Sequence, residues 1–197
     1  SYAQYLSAAA WRAYQVHGGP PAIAGQLARY ASDDVEALLR AYDRNGNGLI
    51  EYDWAAMTGN DADAVSFDWA KRHGAPRMDR SESAYVYANA LAAAQAAQLA
   101  GDAATALRMQ ALAAKIRRAV LTVLWQDHSA SADGMGLHGD LLKQRQADGA
   151  RLPVDWKETN NYYPFSVGLM PKQGDADYDP KYVRALRLFA DARQYPI

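Results

Sequence analysis

The chain has 197 residues, of which 50% are hydrophobic and 22% charged, with a net charge of −1 and no cysteine. That is the composition of a folded globular domain, and its length is enough for one sizeable core. Basic residues are scattered along the sequence, which argues against nucleic acid or an anionic membrane as a partner; the lack of cysteine excludes disulfide and thiolate chemistry.

Helical signals dominate in chain order. AQYLSAAAWRAYQV is an alanine-rich helix that stops at Gly18, Gly19 and the Pro20–Pro21 pair. PAIAGQLARYASDDVEALLRAY reads as one or two helices, with Ser32 and Asp33 as candidate N-caps before Val35. DADAVSFDWAKRHG predicts a further helix ended by Gly74. Two long helices follow, SESAYVYANALAAAQAAQLAG and DAATALRMQALAAKIRRAVLTVLW. Gly101 ends the first and Asp102 caps the second, so together they form an antiparallel hairpin. Met109, Leu112, Ile116, Val120 and Val123 recur every three or four positions and mark one apolar face. From Ser129 to Gly149 the texture is that of a polar loop. DPKYVRALRLFADARQ is a last helix, with Pro180 in its first turn. No long stretch alternates with period two, so strands are expected to be minor, and the fold is expected to be all-α: one helical domain over residues 1–197. No apolar run reaches transmembrane length. The chain opens on Ser1 inside a helical pattern and closes without a cap, as expected of a processed product or of part of something longer.

The segment AYDRNGNGLIEYDW departs from this helical texture. Asp43, Asn45 and Asn47 fall at positions one, three and five of a cation-binding loop, and Gly48 stands at six, where the turn is sharp. Leu49 at seven would offer its carbonyl, and Glu51 fills position nine. Trp54 stands at position twelve, where an EF-hand places a bidentate glutamate, so another group must complete the shell. The competing reading is a tight Asn-Gly turn after a helix.

Four stretches in order, LLRAYDRNGNGLIEYDW, TGNDADAVSF, SAYVYANALAAAQAAQLAGDAATALRMQALAAKI and NNYYPFSVGLMP, resemble the catalytic (α/α)6 toroid of glycoside hydrolase family 63 and its trehalase-like and mannosylglycerate-hydrolase-like relatives. The resemblance implies an inverting, exo-acting glycosidase of oligosaccharides or other glycosides; its location stays open, with a periplasmic or secreted one favoured over the cytoplasm. It implies a structural Ca2+ held by Asp43, Asn45, Asn47, Leu49 and Glu51. Asp79, just before the aromatic YxY helix start at Tyr85 and Tyr87, is the nearest match to a further ligand. Asp61, in Thr58-Gly59-Asn60-Asp61, matches the general acid. The second carboxylate of that family falls on a later hairpin, so this chain is expected to be about half of such a barrel, with the remainder as its partner.

An inverting hydrolase needs one carboxylic acid to protonate the leaving oxygen and a second carboxylate, roughly 6.5–9.5 Å away, to activate water. Trp54, Asn60, Glu158, Asn161 and Tyr162 are the candidate sugar-contacting residues, since aromatic rings stack on sugars and amides hydrogen-bond their hydroxyls. Some of the singled-out residues have a plainer reading. Asn60 or Asp61 fits a helix N-cap, Glu158 a surface loop, and Arg77 with Asp79 a supporting ion pair. The four histidines show no zinc spacing. The same architecture could belong to a lyase or phosphorylase, or to a non-catalytic helical repeat protein that binds a ligand or partner in a groove.

Overall fold

The computed structural model describes residues 5–52, 72, 74, 77–129, 139–148, 154 and 159–192. Helices α1 (Leu6–His17), α2 (Pro21–Tyr42), α3 (Ser83–Leu99) and α4 (Ala103–Ala119) make up most of it. A π-helical turn over Val120–Leu124, a 3-10 turn over Thr159–Tyr162, the short α5 (Tyr163–Ser166) and α6 (Lys181–Phe189) follow. The fold is all-α, as the sequence predicts. Among the described residues no helix is long and apolar enough to cross a membrane.

Helix α3 is the hub. Its alanines are buried around nearly the whole circumference, from Ala84 to Ala97, which is the pattern of a helix with neighbours on every side. On one flank the α2 stripe Ala24, Ala28, Ala31, Val35 and Leu38 is buried. On another, Met109, Ala113 and Ile116 of α4 close the core with Val120 and Leu124. Leu112 and Val123 pack at its margin, so the apolar face read from the sequence is the one buried. Small residues let these backbones approach closely: a Cβ on Gly25 would come 3.6 Å from the Cβ of Ala100. Truncating Ile116 in this core would cost on the order of 2–5 kcal/mol. Helix α1 docks through two polar pins, the Ala8 N–H donating to Asn89 Oδ1 at 3.0 Å and Trp11 Nε1–H donating to Gln95 Oε1 at 2.6 Å.

The α3–α4 hairpin is punctuated as expected. Gly101 takes φ +80, and Asp102 accepts the Thr105 N–H at 3.0 Å. Four expectations need correction. Helix α2 runs unbroken through Ser32 and Asp33, which cap nothing: Ser32 is buried and its hydroxyl donates back to the Arg29 carbonyl at 2.9 Å. The continuous buried stripe outweighs the local capping preference. The α4 helix gives way to the π turn at Val120 and does not reach Trp125 as a regular α-helix. The stretch from Ser129 to Gly149 is not all loop. Strand β3 (Trp125–Ser129) pairs antiparallel with β4 (Gly139–Leu142), and β5 (Arg145–Gln146) follows. In β4 the adjacent Leu141 and Leu142 are both buried, so no period-two alternation announces the strand. The last helix is shorter than predicted and begins just after Pro180. The helix expected over residues 61–74 lies outside the described residues, except at Arg72 and Gly74.

Candidate active-site brace

A second, three-stranded sheet joins the loop to the body. β1 (Glu51–Tyr52) pairs antiparallel with β2 (Met78–Asp79), and β2 pairs antiparallel with β5. Glu51 stands across from Asp79, which in turn stands across from Arg145. Directly opposed residues point to the same side of a sheet, so the two carboxylates share a face. The ladder also clamps both ends of the intervening segment, residues 53–77. That segment carries Trp54, Asn60 and Asp61, which lie outside the described residues.

Loop 43–51 is wound on itself by its own side chains. The Asp43 N–H closes the end of α2 on the Leu39 carbonyl at 2.9 Å, and Asp43 Oδ2 accepts the Gly48 N–H at 2.9 Å. Asn45 Oδ1 accepts from the Asn47 N–H at 3.0 Å, and Asn47 Oδ1 accepts from the Leu49 N–H at 2.8 Å. These side-chain-to-backbone bonds are why Asp and Asn, not longer residues, occupy alternate positions. Gly46 and Gly48 take φ +73 and +96.

Asp79 ties the loop to β2. Fully buried, it accepts the Asn45 amide at Oδ1 (3.2 Å) and the Asn47 amide at Oδ2 (2.8 Å). Asn45 donates also to the Ala147 carbonyl at 3.3 Å. Glu51, also buried, accepts the Asn45 N–H at Oε1 (2.8 Å) and pairs through Oε2 with Arg77. Arg77 reaches on to Asp148 at 3.2 Å. Leu49 is wholly in the core. Asp43 Oδ1 is buried with no hydrogen-bond partner. Among the described residues no three of His, Cys, Asp and Glu draw together as a metal-ligand cluster.

Beyond Asp79 the chain enters a buried polar belt that the sequence reading missed. Arg80 and Glu82 are sealed from solvent and paired, Nη2 to Oε1 at 3.0 Å. The Asn160 amide donates to the same oxygen at 2.9 Å. Ser81 accepts Gln144 Nε2–H at 2.7 Å and donates to the Asn160 carbonyl at 2.6 Å. The belt therefore joins the start of α3 to Gln144 and to the turn at 159–162. Burial pushes the Lys143 ammonium down to about 8. Polar residues just ahead of an apolar helix read as a capping run; their burial depends on partners some 60 to 80 positions away and leaves no local signal.

Of the remaining candidates, Asn161 is fully buried and its amide donates to the Leu142 carbonyl at 2.7 Å. Tyr162 is half-buried, and its hydroxyl donates to the Ala185 carbonyl at 3.0 Å. Its ring leans on Phe189 (centroids 4.9 Å apart) and on Phe165 (5.8 Å). It lines an apolar groove of about 580 Å³ with Phe165, Met170, Tyr178, Tyr182 and Leu186. Burial, then the neighbouring Tyr163, raises the Tyr85 phenol well above its usual range. Glu158 lies outside the described residues.

A family model described as the mannosylglycerate hydrolase MGH1-like glycoside hydrolase domain matches residues 1–194 of this chain.

Proposed function

The chain belongs to the mannosylglycerate hydrolase MGH1-like glycoside hydrolases, and from that premise we propose an inverting, exo-acting hydrolase of oligosaccharides or small glycosides with Asp61 as its general acid. A glycoside hydrolase domain acts on carbohydrate. The acid would donate its proton to the departing glycosidic oxygen while a second carboxylate activates water on the opposite face. Asp61 must then hold a proton near neutral pH, which a site walled by aromatic side chains favours. Trp54 and Asn60, on the same segment, are proposed to meet the sugar.

What supports this reading is the family match over residues 1–194, together with the Thr58-Gly59-Asn60-Asp61 motif in the sequence. The β1–β2 ladder clamps the described residues on either side of the segment bearing Asp61, Glu51–Tyr52 against Met78–Asp79.

We further propose that a structural calcium ion tightens this clamp. Hard oxygen donors suit the ion: the carboxylates of Asp43 and Asp79, the amide oxygens of Asn45 and Asn47, and the Leu49 carbonyl. The buried, unpartnered Asp43 Oδ1 favours this reading, because an uncompensated carboxylate oxygen is costly. Both oxygens of Glu51 are engaged by the Asn45 N–H and Arg77, and both of Asp79 by the Asn45 and Asn47 amides, so either carboxylate would meet the ion by releasing one of these partners. When bound, the ion supplies positive charge and cross-linking, not chemistry on the substrate.

The test is Asp61→Asn in the enzyme, assayed on aryl glycosides with good and poor leaving groups. A loss of roughly 10²–10⁴-fold on poor leaving groups, much smaller on good ones, is expected of a missing general acid. Near wild-type turnover on poor leaving groups rules Asp61 out.

A further inference from the structure

We propose that Lys115 is a built-in competitor for the loop cation, and that it sets the affinity of the site. The inference rests on the calcium reading above. Asp43 is the loop carboxylate that keeps a buried oxygen without a hydrogen-bond partner. Glu51 has Arg77 and the Asn45 N–H, and Asp79 has two amides. Asp43 has one backbone donor at Oδ2, a buried Oδ1 without a partner, and the Lys115 ammonium 3.6 Å from Oδ2. A side chain of another helix thus brings positive charge to the oxygen pair that a cation would share.

Lys115 is seated for this. Its stem lies along the turn: a Cβ on Gly48 would meet its Cγ at 3.2 Å and its Cε at 3.3 Å. Yet the side chain is 42% exposed, while that of Asp43 is 7% exposed. The stem is held by α4 and the head group is free to swing into water, as long lysine chains do. Arg40, Arg108 and Arg118 line the same α2–α4 groove, where Glu36 takes Arg108 at 2.6 Å. They add diffuse positive potential, but Lys115 is the one that reaches the loop.

A unit charge about 6 Å from a divalent ion in water is worth roughly ten-fold in the ion's dissociation constant. Chelator-treated wild type, Lys115→Met and Lys115→Arg would be titrated with calcium chloride by calorimetry and by thermal melting. Methionine keeps the stem against Gly48 and removes the charge; Lys115→Gln serves if that variant does not fold. The expected result is roughly ten-fold tighter calcium binding by Lys115→Met or Lys115→Gln and wild-type affinity for Lys115→Arg, with a larger calcium-induced rise in melting temperature for the uncharged variants. Equal or weaker binding by the uncharged variants overturns the role of Lys115 and leaves the calcium site standing. No calcium binding by wild type or any variant overturns both.

Discussion

Asp79 faces Glu51 across the β1–β2 ladder, and both carboxylates are buried, yet they serve different masters. Glu51 answers to Arg77 and the backbone of Asn45, whereas Asp79 answers to the two loop amides. The division keeps two negative charges on one sheet face without leaving either uncompensated. It also makes Asp79 the residue through which a segment some thirty positions later in sequence grips the loop.

Asp79→Ala should therefore be severe. It strips the acceptor from two amide donors, one of them also bound to Ala147. A loss of roughly 2–4 kcal/mol is expected, read as a lower urea midpoint with an unchanged slope. Asp79→Asn keeps the shape and should cost less in chelator, but should lose most of any calcium-induced rise in melting temperature. A calcium response as large as that of wild type in Asp79→Asn would remove Asp79 from the cation site.

The two loop glycines should differ. Gly46 has open space where a Cβ would go, at φ +73, so Gly46→Ala carries mainly the left-handed backbone cost of roughly 1 kcal/mol. Gly48 sits at φ +96 with Lys115 against it, so Gly48→Ala adds displacement of that stem and should cost about 1 kcal/mol more. Equal midpoints for the two variants in denaturant titration would contradict this packing.

Helix α4 offers a pH test. The Thr105 N–H, donated to the Asp102 carboxylate, holds that carboxyl below its usual value of 3.8. A depressed folded value means stability that is fully present above the unfolded value and is lost as the pH falls through the folded one. Asp102→Ala should be less stable than wild type at pH 7, and the gap should narrow steadily below about pH 4. The measurement is the melting temperature of both proteins from pH 7 to pH 2; a gap that stays constant would mean the cap acts through shape and not charge.

The sequence determined what is local. The Gly101–Asp102 punctuation, the Met109–Ile116–Val120 stripe and the alternate oxygen-bearing side chains from Asp43 to Asn47 each act within about one helical or loop turn, where the chain's own stereochemistry decides. The all-α class followed from summing them. Tertiary structure alone decided that α2 runs through Ser32 and Asp33, because burial of Ala31, Val35 and Leu38 against α3 outweighs a cap. It also decided that Asp79 completes the loop, that Lys115 reaches Asp43, and that Arg80 and Glu82 are interior residues pinned by Asn160. Those contacts join residues 32 to 78 positions apart, and a buried polar group takes its meaning from the partner that compensates it, which no neighbouring residue can announce.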